Sequence, residues 1–239
     1  MKIIDTKTGK RLGSTFDLDQ KELNKKLKEV DPIKANAKKE INVSEHSPMD
    51  PPDAFENKVV ENPEEILDGA LLELFNEHKD LKEIAKEFEI ALIKFQEGKY
   101  YITKEINDAF NKFFVYFDEH IIPHNKKEER YLFPVLHQRL IESGEHSVGE
   151  NPTTSVDLME DDHVKFIQLA SLVFNLLGLG MRLPDPGSRA VTFDLAYHNG
   201  KELVELLKLH IFREDNTLFP LAQQLLTQEE LTTIKEQLK

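Results

Sequence analysis

The sequence predicts an all-α protein: an antiparallel four-helix bundle with a short C-terminal helix and an irregular N-terminal extension. Three observations lead there. From Asn62 onward apolar residues recur at alternating steps of three and four, the period of a helix with one buried face. The loops between four such runs are short or of medium length, which sets neighbouring helices antiparallel. The second pair of runs also repeats the first, motif for motif.

The 239 residues are expected to divide into an extension, 1–61, and a bundle, 62–239. The extension is rich in Lys, Asp and Pro, has little helical periodicity and reads as partly irregular. Ile3-Ile4 and Leu12 around Lys7-Thr8-Gly9-Lys10 suggest a small hairpin within it. In the bundle, Asn62-Pro63-Glu64-Glu65 combines an N-cap, a proline at the first helical position and a glutamate at the third. The seam of the helix it opens is Leu71, Leu74, His78, Leu81, Ala85, Phe88, Leu92 and Phe95, and Gly98 ends it.

The second helix is expected from Thr103 to about Leu140, with the stripe Ile106, Phe110, Phe113, Phe117, His120, His124, Glu128, Tyr131 and Val135. Pro123 and Pro134 should kink it or interrupt its hydrogen bonds. The third covers about Ser155 to Leu177, with Met159, His163, Phe166, Ala170 and Val173 on one face. A Gly/Pro-rich connection, Gly178 to Gly187, leads to a fourth from about Arg189 carrying Leu203, Leu206, Leu207, His210, Glu214 and Leu218. Thr227-Gln228-Glu229-Glu230 is a capping box for the terminal helix.

Composition narrows the function. The absence of cysteine excludes thiolate metal sites, iron–sulfur ligation and a cysteine nucleophile. A formal charge of −13 argues against nucleic acid and against anionic membrane surfaces, both of which select clustered Lys and Arg. No run is read as the roughly 20 apolar residues of a membrane-crossing helix. The first residues lack the apolar core of a secretory signal, so cytoplasmic residence is expected.

The chemistry lies in the repeat. His124-Asn125-Lys126-Lys127-Glu128 precedes Leu132-Phe133-Pro134, and His210-Ile211-Phe212-Arg213-Glu214 precedes Leu218-Phe219-Pro220. Both read H-x-x-x-E-x-x-x-L-F-P. His78 lies 46 residues before His124, and His163 lies 47 before His210. Residues four apart share a helix face, so an imidazole and a carboxylate can reach one metal. Two such pairs and two single histidines give four nitrogen and two carboxylate ligands, a set suited to iron, manganese or zinc. Carboxylates that bridge would hold two metals about 3.5–4 Å apart.

A lone histidine on an apolar stripe is ordinarily a packed residue, and a lone glutamate ordinarily a solvated one. The matched sets are different, because unpartnered carboxylates on core-facing stripes are costly. Leu-Phe-Pro is read as packing and helix termination. Asp215, five residues after His210, competes with Glu214 as a ligand, and the repeat favours Glu214. His120 is a further ligand, an outer partner or a proton relay, the outer role being favoured. Tyr131 either hydrogen-bonds a bridging carboxylate or simply packs. His46, His137, His146 and His198 are read as surface or loop residues.

The repeated motif resembles the hemerythrin-like (HHE cation-binding) domain over about residues 65–235. The resemblance implies a four-helix bundle with a non-haem di-iron centre. It implies His78, His124, Glu128, His163, His210 and Glu214 as ligands, with Glu128 and Glu214 bridging two iron ions alongside an oxo or hydroxo group. Oxygen carriers of the family place a second histidine four residues from the third-helix ligand; here those positions are Met159 and Ile167. The four-histidine, two-glutamate set is more similar to members linked to iron-centre repair, nitrosative stress and iron or oxygen sensing. Such repair proteins usually carry an N-terminal cysteine-bearing module, and this sequence has no cysteine.

The expectation is therefore a di-iron protein that takes a diatomic ligand (dioxygen, nitric oxide) or peroxide in oxidative or nitrosative stress or in iron homeostasis. Whether it turns over as an enzyme is open. The rival is an iron- or oxygen-responsive regulator or scaffold that binds a protein partner through residues 1–60. A ferritin-like oxidase would show Glu-x-x-His twice, and only Glu160 to His163 fits. A haem bundle has no use for two in-register glutamates, and the H-E-x-x-H of zinc proteases is absent.

Overall fold

In the computed structural model the described residues are 62–67, 69–148 and 151–238. The extension, its expected hairpin and His46 lie outside them. Every regular element among the described residues is helical.

The first expectation needs correcting. Pro63–Glu65 is a single 3₁₀ turn, and the Asn62 side chain makes no capping bond. The long helix α1 spans Gly69–Glu97 and starts at a glycine with φ +58°, a backbone turn that breaks continuity with the upstream residues. A tight corner follows Gly98, with Lys99 and Tyr100 both at positive φ. Tyr100 holds that corner by donating to Asp194 Oδ1 at 2.5 Å and packing on Phe95 and Phe193.

The second rod is continuous but not uniform. It runs as α2 (Lys104–Tyr116), a π turn (Phe117–Ile121), α3 (Ile122–Lys127), a second π turn (Glu128–Leu132) and α4 (Phe133–Ser143). Thr103 caps its start by accepting from Ile106 N, and Gly144 at φ +86° ends it. The third rod, α5, spans Ser155–Arg182 behind a Thr154/Asp157 capping box.

α5 runs beyond its expected end, straight through Gly178 and Gly180. The expected Gly/Pro-rich connection shrinks to a short turn before Asp185, which caps α6 (Pro186–Arg213) by accepting from Ser188 N. Gly180 is in a helix because of its neighbour: a Cβ there would lie 2.3 Å from the Phe193 ring, so only glycine lets the two helices close. A third π turn, Glu214–Leu218, joins α6 to α7 (Phe219–Leu225). The Thr227/Glu230 capping box opens α8 (Gln228–Gln237), as expected.

α1 packs on α2 and α6, and α5 packs on α6 and α4. Two apolar clusters fill the bundle. One gathers Leu81, Phe88, Phe95, Phe113, Phe166, Phe193 and Leu207; the other gathers Leu71, Leu74, Leu132, Phe133, Leu218 and Phe219. Between them the same level of all four rods carries buried polar residues: His78, Glu128, His163 and Glu214 are each 1% exposed or less. The fold thus places a polar layer between two dry ones, where charge must be compensated from within.

Candidate metal centre

The six residues singled out in the sequence all arrive in that layer. They form two groups that could hold a metal ion: His78, His124, Glu128 and Glu214, and Glu128, His163, His210 and Glu214. Within each group the ligand atoms lie within 4.8 Å of one another, and the two glutamates are common to both. Glu128 turns Oε1 toward His124 Nε2 at 3.4 Å and Oε2 toward His163 Nε2 at 3.6 Å. Glu214 does the converse, with Oε2 3.3 Å from His78 Nε2 and Oε1 3.1 Å from His210 Nε2. Each carboxylate therefore spans the two histidine pairs, one oxygen to each.

The chemistry of these atoms asks for cations. Both oxygens of Glu128 and both of Glu214 are buried without a hydrogen-bond partner. Such a group costs a large part of its hydration unless a positive charge replaces the water. The facing imidazoles give the same answer. His78 Nε2 and His124 Nε2 are 2.9 Å apart, and His163 Nε2 and His210 Nε2 are 3.2 Å apart. Where a carboxylate holds the proton on Nδ1, a neutral imidazole presents a lone pair at Nε2. Two lone pairs at that separation repel unless a cation or a proton lies between them.

Protons fill the role where no cation does. Burial opposes charging His124, but Glu128, Glu77 and Glu214 override it and raise its pKa to about 10. Burial likewise opposes charge on His210, and Glu214 with Asp162 raises it to about 9. Burial pushes Glu128 up, yet the surrounding histidines, His124 foremost, bring it down to about 2. A metal would compete with these protons, so binding must release them.

Four carboxylates stand behind the histidines; sequence reasoning missed Glu77, Glu129 and Asp162 and read Asp215 as a rival ligand. His78 Nδ1 donates to Asp215 at 2.7 Å, His124 Nδ1 to Glu77 at 2.7 Å, and His163 Nδ1 to Glu129 at 2.8 Å. Asp162 stands behind His210 Nδ1 at a looser 3.6 Å. Carboxylates in this position fix the tautomer and orient the ring. A signal was present: an acidic residue precedes the first histidine of each half, as Glu77 and Asp162, and follows each in-register glutamate, as Glu129 and Asp215. Asp215, the minority candidate for ligand, is thus a partner of His78, and its other oxygen takes Lys82 Nζ at 2.6 Å.

Leu-Phe-Pro does not terminate a helix. In a regular helix the ring of Pro134 would strike the carbonyl of Arg130, and Pro220 that of Asn216. The π turns at Glu128–Leu132 and Glu214–Leu218 absorb that clash, with Phe133 N bonding back to Glu128 O and Phe219 N to Glu214 O. The extra residue resets the helix phase by about 100°. Phe133 then stacks on His163 (5.7 Å, 19°) and Phe219 on His78 (5.5 Å, 11°). The motif's phenylalanine walls a histidine of the opposite half.

His120 stands outside both groups. It is exposed, stacks on Tyr116 at 4.5 Å, and lines a cavity of about 170 Å³ that reaches His78 and His124. Tyr131 packs against the apolar cluster of Leu132 and Phe133. His146 and His198 are on the surface, and His137 is half-buried beside Thr154 Oγ1 at 2.9 Å.

A family model, the hemerythrin HHE cation binding domain, matches residues 70–222, which holds all six residues and the four carboxylates behind them. The chain belongs to that family. Among curated relatives, the "Iron-sulfur cluster repair protein YtfE" of Cronobacter sakazakii is 30% identical over 104 residues, 44% of this chain and 42% of the relative. The protein of the same name from Salmonella paratyphi B is 26% identical over 114 residues, 48% and 47% of the two chains. The chain therefore matches less than half the length of these relatives. No solved structure matches it.

Proposed function

We propose that this hemerythrin-family chain holds two non-haem iron ions and uses them to bind or react with dioxygen, nitric oxide or peroxide under oxidative or nitrosative stress or in iron homeostasis. The observation that carries the reading is the pair of glutamates whose two oxygens each face a different histidine pair. In it, His78 and His124 would hold one ion and His163 and His210 the other, with Glu128 and Glu214 shared by both and an oxo or hydroxo bridge as part of the same reading. When bound, the ions supply the redox change and the affinity for a diatomic or peroxide ligand.

The chain's own residues do the rest. The dry clusters above and below the layer exclude water and keep the carboxylate charges effective. Asp215, Glu77, Glu129 and Asp162 hold the imidazoles in register. The cavity beside His78 and His124 gives a small molecule a path to one ion of the two, with His120 and Tyr116 on its wall. The relatives named for iron–sulfur cluster repair support iron handling as the setting. With no cysteine in the sequence, no thiolate of this chain takes part.

The test is anaerobic purification with metal analysis and visible spectra before and after air or nitric oxide. About two irons per chain, with a spectral change on exposure, are expected for a site of this kind. Fewer than about one iron per chain, unaltered by His124→Ala, would overturn the reading.

A further inference from the structure

Helix α5 carries apolar side chains on two faces. The inner row, Phe166, Ala170, Val173 and Leu177, is buried in the bundle. The outer row is exposed: Val164 53%, Ile167 47%, Phe174 61% and Met181 61%. Ser171 and Gly178 complete that row and are also exposed. The steps 164, 167, 171, 174, 178 and 181 alternate three and four, the seam by which one helix docks on another. The ring of Phe114 backs Phe174 at 5.2 Å, so the row rests on a packed surface.

By length and composition α5 is also long and apolar enough to cross a membrane, contrary to the reading from sequence. It cannot leave the bundle to do so, because it supplies His163 and the inner row.

The order of side-chain sizes says what fits the outer face. Laid antiparallel on a copy of itself, in the layers of an antiparallel coiled coil, the row pairs position 164 with 181, 167 with 178, and 171 with 174. Ile167 then sits over Gly178 and Phe174 over Ser171, each bulky side chain meeting a small one. A Cβ added at Gly178 meets nothing within 4 Å, so the space that Ile167 would use is open. A parallel pairing would instead stack Phe174 on Phe174 and leave Gly178 facing Gly178.

The flanking row agrees. Asp161 comes opposite Arg182, and Gln168 opposite Asn175; all four are exposed. Neither Asp161 nor Arg182 has an ion-pair partner among the described residues.

We propose that the outer face of α5 is a self-association surface on which a second copy of this chain docks antiparallel, Ile167 against Gly178 and Phe174 against Ser171. The contact runs about 26 Å, from Val164 to Met181. One helix pair is small for a stable interface, so the dissociation constant falls in roughly the micromolar range.

The sequence has no cysteine, which makes the test clean. Ile167→Cys and Gly178→Cys are made separately in the full chain, mixed, and treated with a short bis-maleimide. In the antiparallel register the mixture cross-links at least about tenfold better than either variant alone, since two copies of position 167 stand about 16 Å apart along the axis. Asp161→Arg and Arg182→Asp should each weaken the dimer in sedimentation, and the double variant should restore it. Equal cross-linking within each single variant would overturn the register. A monomer at about 100 µM, a concentration well above such a constant, would overturn the surface, as would binding only to phosphatidylglycerol vesicles.

Discussion

The two halves of the bundle carry one motif in two different settings. In the N-terminal half, His124 follows an extra π turn, Phe117–Ile121, which ends two residues before Pro123. In the C-terminal half, α6 passes without interruption through the equivalent position, and Leu206, the counterpart of His120, packs on the apolar core. The extra turn is where a cavity opens beside His78 and His124, whereas His163 and His210 are not among its lining residues. The outer carboxylates differ too. Asp215 is buried and salt-bridged to Lys82, whereas Glu129 is 42% exposed and has no cation beside it among the described residues. The residue at Lys82's repeat position is Ile167, which faces outward. A duplicated ligand set thus need not give two equivalent metals.

The largest expected effect falls on what the halves share. In the proposed two-iron centre, Glu128→Ala or Glu214→Ala would remove an oxygen from each ion at once and leave the other glutamate's charge poorly matched. Metal content should drop from about two per chain to well under one. His163→Ala, by contrast, should cost mainly the ion of its own histidine pair. Retention of both metals by Glu128→Ala, measured by elemental analysis, would remove the bridging role.

The next effect separates the halves. Losing an outer carboxylate typically costs about 10–100-fold in metal affinity. Asp215→Asn should sit near the upper end, because Asp215 is buried and held by a lysine, and Glu129→Gln near the lower, because water screens it. Competition with a chelator, read as the ratio of the two losses, checks this. Equal losses would mean that burial of the outer partner does not set the difference.

The six central residues were legible because they obey a rule local to one helix: four residues make one turn, and the same spacing occurs twice. The partners behind them were not, since Glu129 serves His163 and Asp215 serves His78 across the bundle, and no local period records that. Pro134 does interrupt the regular hydrogen bonds of its helix, as expected, but Leu-Phe-Pro misled as a helix end for a related reason. Pro134 and Pro220 break regular helices, but a π turn absorbs them, and whether a chain widens a turn or ends depends on what the next residues pack against. Phe133 and Phe219 pack on histidines from the opposite half. Gly180 reads as a breaker until Phe193 is seen against it.

The metal-free protein offers a pH test of the same comparison. His124 is raised from 6.5 to about 10 and His210 from 6.5 to about 9 by their carboxylates, against the effect of burial. Groups raised in this way stabilise the fold fully below their ordinary pKa and cease to as pH rises through the folded value. Glu128, lowered from 4.5 to about 2, acts at the other end, stabilising above 4.5 and failing as pH falls through 2. The melting temperature of the metal-free chain should therefore be highest between about 4.5 and 6.5 and decline toward 10. His210→Gln should roughly halve the decline between 6.5 and 9 and leave the decline from 9 to 10, which belongs to His124. A flat profile from 6.5 to 10 would show that the histidines hold no proton in the fold.

The smallest effect concerns access. His120 lines the cavity without joining either group, so His120→Ala should leave metal content unchanged. Replacing it with leucine, the residue at the matching place of the other half, should narrow the path and slow nitric oxide binding about two- to tenfold, with the equilibrium affinity little altered, the pattern of a gate rather than a ligand. Stopped-flow traces at several gas concentrations separate the two. Loss of iron in His120→Ala would instead put that imidazole among the ligands, and the contrast between the two halves would then come from coordination, not from the shape of the cavity.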